Sequence, residues 1–142
     1  MNSSLGNSFI RKLEKLGQEK AKTLAKEARE KLTNEYIYTI SIFYGEYEPQ
    51  YYKRHPGGGL YKTYKKYYRN PHNTIYYGGV EITPENMYDD YHDQPIEVLN
   101  SFLEGYHGRP SLGIDSSVQS YRHMLKYRDL LINDFTKRCT VK

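Results

Sequence analysis

Five histidines, one cysteine and a run of carboxylates are the groups with which this chain of 142 residues could do chemistry. His55, His72, His92, His107 and His123 supply imidazoles, but no two of them stand four residues apart. Neither HExxH nor CxxC occurs, so a zinc-type site has no framework. Asp89-Asp90-Tyr91-His92-Asp93 gathers three carboxylates around one imidazole, yet its spacing is not that of an EF-hand, and a solvated acidic loop accounts for it. Cys139 lies among Lys137, Arg138 and Lys142, cations that favour a thiolate, with no adjacent histidine to act as base. Gly57-Gly58-Gly59 lacks the Lys-Ser/Thr that completes a phosphate-binding loop, and reads as flexible linker. A small nuclease or toxin using His72 or His107 as base is the enzyme-class alternative. The chain reads as non-enzymatic, with no cofactor and no metal.

Binding chemistry is better represented. From Gln50 to Val80 there are six Lys/Arg, eight Tyr and no acid, whereas Glu81 to Glu104 has seven acids and no Lys/Arg. The net charge of +4 therefore conceals two opposed patches. Aromatic rings with interspersed cations can stack on bases and contact phosphates, although no RNP-type motif accompanies them here. Unlike patches can also bind each other between copies of one chain. Head-to-tail contacts of that kind build rings when the rotation closes. Charge then sets orientation and register, and tyrosine provides buried area with a wettable hydroxyl. The expected subunit interface comprises Tyr51, Tyr52, Lys53 and Arg54, then Tyr61, Lys62, Tyr64, Lys65, Lys66, Tyr67, Tyr68 and Arg69, set against Asp89, Asp90 and Asp93. Sequence-independent nucleic-acid binding through Lys53, Arg54, Lys62, Lys65, Lys66 and Arg69 is the alternative.

The elements that must position these residues follow from periodicity. Leu13, Leu16, Leu24, Ala28, Leu32, Tyr36, Ile40 and Phe43 recur at helical spacings and predict one long helix from Ser8 to Tyr44. Its second half is β-branched and aromatic, so a strand is the local alternative. Residues 45–59 read as loop, with Pro49, Pro56 and three glycines. Leu60 to Tyr68 and Thr74 to Thr83 read as two extended segments around an Arg69–Asn73 turn, forming an antiparallel hairpin. Gly78-Gly79 predicts a bulge or a close backbone approach. Residues 84–93 read as irregular. Pro95 opens a short helix that ends before Gly105. Ser116 or Ser117 is expected to cap a final helix with the apolar stripe Val118, Tyr121, Leu125, Ile132 and Phe135.

Length and composition allow a single domain over residues 1–142, with residues 1–7 disordered, 45–73 an extended loop or hairpin and 137–142 a tail. Only 37% of residues are hydrophobic, tyrosine contributes 17 and tryptophan none, so partners are expected to supply part of the burial. One cysteine excludes an intrachain disulfide and fits a reducing compartment. No apolar run is long enough for a bilayer and no secretory signal opens the chain, so a soluble protein made in the cytoplasm is the expectation.

The order of these features is familiar. The segment Phe43-Tyr44-Gly45-Glu46-Tyr47-Glu48-Pro49-Gln50-Tyr51-Tyr52-Lys53-Arg54 follows the charged helix, Gly59-Leu60 leads into the extended segments, and Phe102-Leu103-Glu104-Gly105-Tyr106-His107-Gly108 closes the short helix. Over residues 8–110 this resembles the small minor structural proteins of tailed bacteriophages, of the tail-completion or head–tail connector (neck) type. The resemblance implies an α+β fold, a long N-terminal helix packed across a small antiparallel sheet, with a protruding Tyr/Lys-rich loop or hairpin and a C-terminal helix. It also implies a homo-oligomeric ring in the virion, with other neck, portal-adaptor or tail proteins as partners and no catalytic residues. Residues 45–73 would reach adjacent subunits. The tyrosine-rich insertion and the basic C-terminal helix depart from the family pattern.

Overall fold

A computed structural model of the chain describes residues 3–46, 59–72, 74–84, 95–106 and 116–139. The fold is α+β. Helix α1 spans Ser3–Gly45, and a 3-10 turn at Gly59–Lys62 leads into strand β1 (Tyr64–His72) and strand β2 (Ile75–Ile82). Helices α2 (Pro95–Glu104) and α3 (Ser120–Cys139) complete it. The strands form a two-stranded antiparallel sheet.

At a rise of about 1.5 Å per residue, α1 is about 64 Å long and organises everything else. It begins at Ser3, ahead of the expected start, and its β-branched second half is helical rather than extended. Tertiary packing overrides local propensity there. Tyr36 and Ile40 are fully buried and Phe43 is 5% exposed, and together they join Leu60, Leu99, Phe102 and Val118 in the core. Farther back along the same stripe Leu24, Ala28 and Leu32 are half-buried, while Leu16 is 68% exposed. The core therefore occupies only the C-terminal half of α1. Its aromatic rings meet edge to face: Tyr36 and Phe43 lie 5.8 and 5.2 Å from Phe102 between centroids, a geometry their quadrupoles favour.

Hydroxyls buried in this region are paired in chains. Thr63 Oγ1 donates to the Leu60 carbonyl at 2.5 Å, so the Tyr36 hydroxyl must donate to Thr63 Oγ1 at 2.7 Å. Thr39 Oγ1 likewise donates to the Tyr36 carbonyl at 2.7 Å and accepts from Ser120 Oγ at 2.9 Å. Burial pushes the Tyr36 phenol up to about 12. The Tyr44 hydroxyl accepts from the Leu60 amide at 2.9 Å. It lies so close to Gly59, whose φ is +56°, that a side chain at 59 would be both strained and obstructed.

The hairpin and α3 use different faces of α1. Ala25, Lys26, Glu30 and Tyr36 meet the hairpin, whereas Lys20, Glu27, Glu35 and Thr39 meet α3. The result is three layers, with α1 in the middle. Against the hairpin the approach is backbone to backbone: a Cβ on Gly78 would come within 1.7 Å of the Ala25 carbonyl oxygen. Gly78 thus marks a close approach, one of the two outcomes expected of it. The hairpin lies along α1, giving the expected long helix packed across a small antiparallel sheet, because its glycine and its inner tyrosines give it a surface that fits the helix. Of the segment expected to protrude, residues 47–58 lie outside the described residues. The hairpin's strands are displaced from the expected bounds. Leu60 belongs to the 3-10 turn, and β1 continues through the predicted turn to His72, with irregular pairing between Arg69 and His72. Pro71, which lacks an amide hydrogen, sits inside that irregularity.

Helix α3 runs antiparallel to α1, pairing Ser120 with Thr39, His123 with Glu35 and Arg138 with Glu27. It starts at Ser120, so neither Ser116 nor Ser117 is its cap. Ser116 Oγ accepts from the Val118 amide, and the Ser117 amide and hydroxyl both donate to the Glu46 carboxylate, tying this turn to the end of α1. Of the expected apolar stripe Val118 joins the core, whereas Tyr121 and Ile132 are exposed and do not face α1. Instead Ser120, His123, Tyr127, Leu131 and Arg138 lie on that face, because α1 offers hydroxyls and carboxylates there. The expected tail is helical through Cys139. Arg138 holds it with 2.5 and 3.0 Å bonds to Glu27 and a 2.6 Å bond to Asp134, which also keeps the Glu27 carboxyl below the usual carboxylate range.

Candidate interaction surface

The hairpin divides the basic tyrosine block between two faces, because successive strand side chains point to opposite sides. Tyr64, Lys66 and Tyr68 turn toward α1. Tyr64 packs edge-on against Tyr36 at 5.9 Å, and the Lys66 ammonium lies 2.7 Å from the Glu30 carboxylate. Tyr68 stacks near Tyr76 at 6.4 Å, with the Lys26 ammonium 5.5 Å from its centroid. Tyr61, ahead of β1, packs at 5.5 Å against Tyr44, and burial raises its phenol pKa. The hydrogen bond from Lys66 holds the Glu30 carboxyl below its ordinary range. Four of the residues expected at an interface are therefore engaged within the chain.

Lys65, Tyr67 and Arg69 point the other way. With Ile75, Tyr77, Gly79 and Glu81 of β2 they form the outer face of the sheet, in the register Lys65–Glu81, Tyr67–Gly79 and Arg69–Tyr77. Tyr67 lies across Gly79, its hydroxyl 2.7 Å from where a Cβ would stand, so the missing side chain is what lets the ring lie flat. The Arg69 guanidinium sits 5.1 Å from the Tyr67 centroid and 3.7 Å from Glu81. Ile75 and Tyr77 are 41% and 51% exposed at the Arg69 end of this face, and Lys65 is exposed at its other end, opposite Glu81. Lys62, at the end of the 3-10 turn, is exposed as well. Among the described residues neither Lys62 nor Lys65 has an acid within 4 Å. Ile75 and Tyr77 escape notice in the sequence when the cations are followed; the alternation Ile75, Tyr77, Gly79, Glu81 was the signal that would have placed them here.

Tyr51, Tyr52, Lys53, Arg54, Asp89, Asp90 and Asp93 lie outside the described residues, as do residues 47–58, 73, 85–94, 107–115 and the chain ends. Of the acidic block, Glu81 is engaged by Arg69 of its own hairpin. Glu104 is exposed in a shallow cleft of about 430 Å³ between α2 and α3, lined also by Leu103, Tyr106, Tyr121 and Arg122.

Among the described residues no group of three or more His, Cys, Asp or Glu side chains could hold a metal ion. His123 Nε2 lies 2.6 Å from Glu35 and links α3 to α1. His72 stands exposed at the end of β1, and Cys139 is exposed at the end of α3. No helix among the described residues is long and apolar enough to cross a membrane. Comparisons with protein-family models, with curated proteins and with solved structures give no match.

Proposed function

We propose that the chain is a non-enzymatic assembly protein that docks other protein subunits through the outer face of its hairpin. With the motif resemblance around Phe43–Arg54 and Phe102–Gly108, the best-supported setting is a ring at the neck or top of the tail of a bacteriophage particle. The supporting observation is the exposure of Ile75 and Tyr77 beside Arg69, with Lys65 farther along the same face, on a sheet backed by α1. Tyrosine and arginine on a pre-formed surface are the residue types that carry contact energy at protein interfaces. Both strands also keep an outer edge unpaired among the described residues, and such edges are prone to pairing with another chain.

The test is the mass of the assembly by native mass spectrometry at low salt, for the wild type and for Ile75→Asp/Tyr77→Asp. Both positions are exposed, so the double variant keeps its melting temperature within a few degrees while losing assembly. A wild-type chain that stays monomeric alone and with its genomic neighbours' products, or a double variant that assembles normally, overturns the reading.

The exposed ammonium groups of Lys62 and Lys65, with no acid within 4 Å among the described residues, and Tyr67 on the same face as Lys65 favour one second reading, single-stranded nucleic-acid binding by stacking and phosphate contact. It expects affinity to fall steeply between 50 and 200 mM salt and to drop again in Lys62→Glu/Lys65→Glu. Assembly that survives this charge reversal while nucleic-acid affinity is lost would favour it over subunit docking.

A further inference from the structure

Helix α3 carries two stripes. The first faces α1 and is occupied: Ser120 and Leu131 are buried, His123 bonds Glu35, and Arg138 bonds Glu27. The second consists of Tyr121, Leu125, Arg128, Ile132, Phe135 and Cys139, at successive spacings of four, three, four, three and four. That is the repeat of a coiled-coil seam, sustained over the whole helix. It remains accessible. Tyr121 and Ile132 are 62% and 53% exposed, Arg128 and Cys139 are exposed, and Leu125 and Phe135 are half-buried. A helix with one polar seam filled and one apolar seam open is built to take a further helix.

We propose that a second copy of this chain fills the open seam, α3 pairing antiparallel with α3 about a two-fold axis. The seam is self-complementary in that direction. Setting Tyr121 opposite Cys139 of the other copy also sets Leu125 opposite Phe135 and Arg128 opposite Ile132, so every position finds a partner. Parallel pairing would instead oppose Arg128 to Arg128 in the middle of the seam, a like-charge contact at a position that wants an apolar side chain. In the antiparallel pair Arg128, 3.4 Å from its own Asp129, comes beside Asp129 of the second copy. The ends match too. At its N-terminal end the seam runs into the cleft between α2 and α3, which Arg122 also lines and where Glu104 has no cation within 4 Å among the described residues; at its C-terminal end Lys137 is exposed, with no acid within 4 Å among the described residues. Antiparallel pairing lays the lysine end of each helix at the glutamate cleft of the other.

This contact is isologous, the same patch used by both copies. It lies across α1 from the hairpin and does not rest on the hairpin's proposed role. A closed head-to-tail ring contains no such two-fold, so the pair belongs to the free chain in solution.

Disulfide trapping of the full chain tests it. In the antiparallel pair the two native Cys139 residues sit about 27 Å apart, at opposite ends, while position 121 of one copy faces Cys139 of the other. Under mild oxidation Tyr121→Cys is expected to give a covalent dimer on a non-reducing gel, at least about tenfold faster than the wild type. Sedimentation of Ile132→Asp, whose site is exposed in the single chain, is expected to show dimer dissociation at concentrations at least about tenfold higher with unchanged helicity. The Ile75→Asp/Tyr77→Asp variant is expected to keep the pair, separating this contact from the hairpin's. Wild-type crosslinking through Cys139 as fast as in Tyr121→Cys, a dimer indifferent to Ile132→Asp, or a wild-type chain that is monomeric throughout would each overturn the proposal.

Discussion

The two halves of α1 are held by different forces. Around Tyr36, Ile40 and Phe43 the helix is gripped by an apolar cluster from the 3-10 turn, α2 and the start of α3, and its polar groups are paired by hydroxyls. Around Lys20 to Glu30 the contacts are mainly ion pairs at the surface, with the Lys26 ammonium over Tyr68, one backbone approach at Gly78 and a single small buried side chain, Ala25. An exposed ion pair contributes about 0–1 kcal/mol, whereas burial of one large side chain contributes about 1.5–3 kcal/mol. Stability is therefore concentrated at one end of the helix. The other end orients the hairpin and α3, the two elements whose exposed outer faces we propose as docking surfaces.

The contrast can be broken most directly at Phe102. Phe102→Ala removes the ring that both Tyr36 and Phe43 pack against and is expected to cost about 3–5 kcal/mol in urea denaturation. A loss under about 1 kcal/mol would mean that the cluster is not the centre of stability. Gly78→Val should come next, at about 1–3 kcal/mol, since its side chain would enter the Ala25 backbone. Hydrogen exchange is expected to show β1 and β2 losing protection while the 36–43 segment keeps it. Equal loss in both regions would show that the two halves are a single cooperative unit.

Tyr36→Phe sharpens the apolar end, at about 1–2 kcal/mol, because Thr63 loses its buried donor. The folded phenol titrates at about 12, above its ordinary 10.0. Its contribution is therefore full below pH 10 and is lost as pH rises toward 12. Melting curves between pH 8 and 11 should fall less steeply for Tyr36→Phe than for the wild type. Glu27→Gln probes the charged end and has the smallest expected effect, under about 1 kcal/mol. Arg138 and Lys31 depress the Glu27 pKa, so its contribution is present above the ordinary carboxylate range and fades as pH falls through the depressed value. Added salt should erase the difference between Glu27→Gln and the wild type, as measured by thermal melts.

Much of the architecture was legible because it depends on short-range pattern. Helical spacing from Leu24 to Phe43 announced α1, Pro95 and Gly105 bounded α2, and two β-rich segments around Asn70-Pro71 announced a hairpin. The block of tyrosines and cations was legible as composition but not as a surface. Counting Tyr61 to Arg69 as one patch ignored strand alternation, which sends Tyr64, Lys66 and Tyr68 to α1 and leaves Lys65, Tyr67 and Arg69 outside. The apolar stripe of α3 was legible as a stripe, but not which of its members the core takes: Val118 is buried, while Tyr121 and Ile132 stay exposed. The face that actually meets α1 is chosen by Thr39, Glu35 and Glu27, which offer bonds to Ser120, His123 and Arg138.

The sequence by itself determined which segments are helix or strand and where charge and tyrosine accumulate, since these follow from neighbours within a few positions along the chain. Only the tertiary structure decided which side of each element is spent on internal contacts. That choice rests on partners far apart in sequence: Gly78 against Ala25, Lys66 against Glu30, Arg138 against Glu27. Each is a fit between two surfaces, and neither surface carries the information alone. Among the described residues, what stays outside after those fits are made includes Ile75 and Tyr77 on the hairpin and the Tyr121–Cys139 seam on α3, the two surfaces proposed to meet another chain.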